Sequence, residues 1–142
     1  MSSGIGVSPD SVIYLSAADR LLSGDGLKPI AYHYAPKMPS GQTLINFPPA
    51  YPLVLAATNI LTQDRLIGAR WINSLLLAAS VLLMGTIVSL SAGGSVAAGL
   101  SAVFLFLSSF PVLEAYTMMW AEPLFIFLLL SALLLLLMHI KE

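Results

Sequence analysis

Two carboxylates stand out by their setting: Asp10 in "SPDS" and Glu122 in "WAEP". Each lies just ahead of a stretch able to form a helix. A carboxylate beside an acceptor hydroxyl can take its proton as the oxygen attacks an electrophilic carbon, which is general-base work. A second acidic group can position the acceptor, or share a divalent cation with the first through oxygen ligands. Both positions also have plain structural uses. Asp10, followed by Ser11 at a helix start, suits an N-cap. Glu122 beside Pro123 suits the positive end of a helix dipole, worth about 0.3–1 kcal/mol when exposed. One carboxylate can serve both purposes, so both readings stay open.

The elements that would position these groups follow from composition. Of the 142 residues, 58% are hydrophobic and 9% charged, with a mean hydropathy of +0.90, far from ordinary soluble domains. The chain is expected to be an all-α integral membrane protein. A formal charge of −1 without a basic cluster excludes a nucleic-acid partner. With no Cys, disulfides, thiolate metal sites and cysteine nucleophiles are excluded. Met1 to Ser8 has neither the basic nor the apolar region of a signal peptide.

Residues 1–64 carry most of the prolines, glycines and charges, and residues 65–142 hold three apolar runs. The sequence therefore predicts a loop region with short helices followed by a transmembrane bundle. Ile72–Leu90 is long enough to cross a hydrocarbon core of about 30 Å, with Asp64 as its N-cap. Gly94–Phe110, rich in Gly, Ala and Ser, predicts a second span that packs closely on a neighbour, and "SAGG" predicts the hairpin between them. Pro111 is expected to interrupt, "VLEAYTMMWAE" to form a loop, and Leu124–Ile140 to be the third span. Upstream, Tyr14, Ala17, Ala18, Leu21 and Leu22 recur at helical spacing opposite Ser16, Asp19, Arg20 and Ser23. This predicts a short helix over 11–23 lying on the membrane surface and ended by Gly24. Residues 28–46 read as a loop. Pro52 is expected to start a helix that runs to about Leu61, too short to span.

The ordered set "SPDS", "YLSAADRLLSGDGL", "FPPAYPLVLA", "ARWINSLLL" and "WAEPLFIFLLL" resembles the N-terminal part of the GT-C membrane glycosyltransferases, similar in turn to the protein mannosyltransferases and the lipid A aminoarabinose transferase. The resemblance implies transfer of a sugar from a polyprenyl-phosphate donor to a glycan, lipid or protein acceptor at the outer face of the plasma membrane, in building the cell envelope. It implies an extracytoplasmic first loop with Asp10 as its functional acid and Glu122 as the second acid. It also implies a larger protein, with a helix before "PDS" and more after "LLLLLMHIKE", so that this fragment alone would be inactive. Substrate contacts could come from His33, from Tyr51, and from Arg70 meeting a lipid phosphate in a bidentate contact. Each has an ordinary reading too: a solvated loop histidine, a packed aromatic, and an arginine snorkelling to the headgroups. Arg65 is open to the same two readings as Arg70, and Asp19 with Arg20 reads as a solvated face.

Charge distribution opposes that topology. Five of the six Lys and Arg residues precede Ile72, and a positive-inside count would put that half in the cytoplasm. Long loops obey the rule poorly, so the orientation implied by the resemblance is followed. A second function class stays open: a non-catalytic membrane subunit or transporter-like fragment, whose carboxylates only cap helices and whose Gly/Ala-rich span mediates assembly.

Overall fold

The structure is a computed structural model that describes residues 5–28 and 47–141. The described residues form six helices: α1 (Pro9–Leu22), α2 (Ala50–Thr62), α3 (Arg65–Ser91), α4 (Val96–Ser108), α5 (Phe110–Thr117) and α6 (Glu122–Lys141). They divide into two compact units. One comprises residues 1–72 with 117–121, and the other residues 73–116 with 122–142. The division thus falls inside α3 and not at the α2–α3 turn, where the composition changes.

In the first unit α1 starts two residues earlier than expected. Ser8 is the N-cap, Pro9 takes the first turn, and Ser8 and Ser11 form a reciprocal capping box. The Ser11 backbone N–H donates to Ser8 Oγ at 3.3 Å, and the Ser8 backbone N–H donates to Ser11 Oγ at 3.0 Å. Asp10 is therefore not the cap. Gly24 leaves the helix at a φ of 84°, as glycine after a C-cap readily does. The face of α1 expected to lie on lipid is instead buried against its own chain: Tyr14 packs edge-on to Phe47 and Tyr51, with ring centroids 5.5 and 5.2 Å apart. Ser16, expected on the polar face, is buried there and donates to the Ile13 carbonyl at 2.9 Å.

Helix α2 begins at Ala50, with Pro49 at the N-cap position and Pro52 inside the first turn, where its missing N–H has no helical partner to lose. It ends at Gln63, the one described non-glycine residue with positive φ, at 56°. Asp64 then caps α3 as expected, its Oδ1 accepting from the backbone N–H of Leu66 and Ile67 at 2.8 and 3.1 Å. The turn lays the start of α3 beside α2. A Cβ on Gly68 would lie 3.0 Å from both Thr58 Oγ1 and Thr62 Oγ1.

In the second unit the chain turns through Gly93 and Gly94, both at positive φ, and Ser95 caps α4. Helices α3 and α4 approach so closely that a Cβ on Gly99 would sit 2.8 Å from the Gly85 carbonyl oxygen. The small residues expected to serve close packing do so within this hairpin.

The second expected span, Gly94–Phe110, is corrected. Helix α4 stops at Ser108, and Ser109 is extended, at φ −79° and ψ 111°. Its N–H donates back to Phe106, and its carbonyl accepts the Leu113 N–H at 3.1 Å, so it ends one helix and begins the next. The expected interruption falls at Ser109, two residues ahead of Pro111, which sits in the first turn of α5; residues 112–117, expected as loop, are helical. Helices α3 and α6 are long and apolar enough to cross a membrane. Helices α4 and α5 make a third crossing only if taken together, bent by 65°.

Candidate functional site

Asp10 occupies the first turn of α1 and is exposed. With Ser8 taking the cap, its carboxylate is left without a hydrogen-bond or ion-pair partner among the described residues. Ser8 itself is held from a distant part of the sequence: the Trp120 indole donates to Ser8 Oγ at 2.7 Å. Alongside, the Gly6 N–H donates to the Thr117 carbonyl at 2.8 Å, and the Met119 N–H donates to the Gly6 carbonyl at 3.1 Å, forming a short parallel bridge. Residues 117–121 are thereby tied to the segment that leads into Asp10. The sequence places Trp120 only at interfacial depth, and a single sequence holds no signal for this pairing.

Glu122 is the first residue of α6, exposed, with Pro123 buried behind it. Its position suits the helix dipole, and it too lacks a described partner. Among the described residues no group of three or more His, Asp or Glu gathers to hold a metal ion. A divalent metal therefore has no assembled ligand set there.

The other candidates separate. Tyr51 has no exposed surface and lies in the α1–α2 core beside Tyr14. Of its two expected uses, the packing one is occupied. Arg70 is exposed on the second turn of α3. His33 lies outside the described residues. Arg65, expected to meet a lipid phosphate or to snorkel, instead pairs with Asp19 across the first unit. Both side chains are largely exposed, so the pair contributes at most about 1 kcal/mol.

Two polar features were not anticipated. Glu114, expected in a loop, is half-buried on α5, within the bent pair of apolar helices. A carboxylate in such a segment is a candidate functional group on cost alone. Nearby in the same unit, the Tyr116 hydroxyl donates to Ser80 Oγ at 2.8 Å, and Asn73 Nδ2 donates to the Tyr116 carbonyl at 3.3 Å. All three residues are buried, and the two bonds fasten α5 to α3. An open groove of about 460 Å³ along the α3–α4 hairpin, walled by Leu82, Gly85, Gly99 and Val103, contains no titratable side chain. It offers no acid–base chemistry. Compared with known proteins, the chain matches no family model, no curated protein and no solved structure.

Proposed function

We propose that the chain is the membrane-embedded, acid-bearing part of a multi-pass glycosyltransferase that uses a polyprenyl-phosphate sugar at the outer membrane face. One observation carries the reading: Asp10 is exposed and chemically uncommitted, because Ser8 performs the capping that would otherwise explain an acidic residue there. In the proposed reaction an acceptor hydroxyl oxygen bonds to the anomeric carbon of the sugar. The bond from that carbon to the phosphate oxygen breaks, its electron pair leaves on the lipid phosphate, and the hydroxyl proton passes to Asp10. Glu122 is assigned the second acidic role, positioning the acceptor. Further support comes from the Trp120–Ser8 hydrogen bond, which fixes the segment carrying Asp10, as positioning of a base requires. No step is routed through a metal.

The test is transfer of radiolabelled sugar from the polyprenyl-phosphate donor in membranes containing the full-length protein. Asp10→Asn is expected to abolish transfer at unchanged protein level, since the helix keeps its Ser8 cap. Glu122→Gln is expected to reduce transfer. Full activity in Asp10→Asn would end the proposal. Labelling of a cysteine placed at Ser40 only from the cytoplasmic side would end the outward orientation.

A further inference from the structure

The geometry points to a membrane-interface docking surface on α2: its outer face, with the first turns of α3, beds into the headgroup–acyl boundary of the bilayer that α3 crosses. The proposal is independent of sugar transfer and rests on α3 as a span.

Helix α2 is apolar on two opposite faces. Tyr51, Pro52, Leu55 and Ala56 form the buried stripe, and the α1–α2 core accounts for it. The opposite stripe, at positions i, i+4, i+7 and i+8, is Leu53, Ala57, Ile60 and Leu61, and all four are exposed, Ile60 by 67% and Leu61 by 83%. No charged residue occurs anywhere in α2. Its polar residues, Thr58, Asn59 and Thr62, are confined to the second half and leave the outer stripe wholly apolar, a face that water does not favour. At 13 residues it is about 20 Å long, too short to cross a core of about 30 Å. With one face already buried against α1 and the other an exposed apolar stripe, it can lie in the plane of the interface with that stripe in the acyl boundary.

The neighbouring helix identifies the occupant as lipid. Helix α3 has 27 residues, whereas a span needs about 20, leaving roughly seven to project from the core. Arg70 and Trp71 fall at the sixth and seventh residues of α3. An arginine and an aromatic with 63% of its surface exposed are the usual markers of a membrane boundary. By contrast, the far end of α3 leads into an uncharged Ala-Gly-Gly-Ser turn. Ile67, Trp71 and Leu75, four residues apart, form an exposed apolar stripe bordered by Arg70 and Ser74, so the lipid-facing surface of the span continues onto the projecting turns. Close packing at Gly68 against Thr58 and Thr62 then places the C-terminal half of α2 beside those turns. The outer stripe of α2 extends the same lipid-facing surface, at the depth of Trp71.

The absence of native cysteine allows a clean test on the full chain. Nitroxide labels at Leu53→Cys, Ile60→Cys and, as a control in the turn, Gln63→Cys would be read in phosphatidylcholine–phosphatidylglycerol nanodiscs by collision with oxygen and with a water-soluble nickel chelate. Expected is an oxygen-to-nickel ratio several-fold higher at residues 53 and 60 than at 63, with depths of about 5–10 Å below the headgroups. Quenching of the Trp71 fluorescence, taken as the part lost in Trp71→Phe, by lipids brominated near the top of the acyl chain should report a similar depth without any label. Ratios at 53 and 60 equal to that at 63 would overturn the proposal, because the face would then stand in water. Labels shielded from both reagents would overturn it as well, assigning the face to a second copy, another subunit or another part of this chain.

Discussion

The two helix pairs, α1 with α2 and α3 with α4, are closed by opposite means. In the first, rings do the packing: Tyr14 meets Phe47 and Tyr51 edge to face, and Ala17 and Leu55 are buried in the same unit. In the second, backbones meet at Gly85 and Gly99, and the large apolar residues Leu82, Leu100, Phe104 and Leu105 point outward. The contrast is the one that two different solvents would produce. Where water drives association, removing aromatic area from it supplies the stabilisation. Where the surroundings are as apolar as leucine, nothing is gained by hiding leucine. Contact must then come from close backbone approach and from hydrogen bonds such as that of Tyr116 to Ser80.

The largest expected effect probes the aromatic pair. Tyr51→Ala should destabilise the α1–α2 unit by about 3–5 kcal/mol through lost area and a cavity, seen as protease cleavage of α1 at lower denaturant. The α3–α4 hairpin should stay protected in the same digest. Next is Gly99→Val, which drives a branched side chain into the Gly85 carbonyl and should cost about 1–3 kcal/mol. It should separate spin labels placed on the two arms of the hairpin. If Gly99→Val left that distance unchanged while Gly99→Leu separated the arms, the contact would be adjustable and the contrast softer than drawn here. Smaller again is Ser8→Ala, about 1 kcal/mol for a lost cap, read as earlier thermal loss of α1 helicity. Asp10→Ala in the same melt should change little beyond a few tenths of a kcal/mol from the helix dipole. Equal losses in the two would return Asp10 to capping. Arg65→Ala should likewise cost only about 0–1 kcal/mol, diminishing as salt rises.

What could be read in the sequence follows the same division. Apolar length gave α3 and α6, Asp64 announced the start of α3, and the paired glycines announced the hairpin, because each depends on a local rule. The cap of α1 lies two residues ahead of the expected one: "SPDS" offers three capping side chains within four residues, and only the reciprocal Ser8–Ser11 bonds, with Pro9 fitted between them, decide among them. The segment after Pro111 was expected to be a loop because proline usually stops a helix, but in a first turn it begins one. For the candidate site, Asp10 and Glu122 were legible as acids ahead of helices. The indole of Trp120 bonded to Ser8, more than a hundred residues away in the chain, was not, since no local pattern encodes a partner so distant.

The corner at Ser109 also fixes how often the chain is straight. Merging α4 and α5 into one continuous rod would press the Pro111 ring into the Leu107 carbonyl, a clash of about 3 kcal/mol or more. On that difference alone fewer than about 1 molecule in 100 would be straight at any instant. Helices α4 and α5 are thus held away from the straight arrangement, and the corner between them, bent by 65°, is written into the sequence by one proline ring.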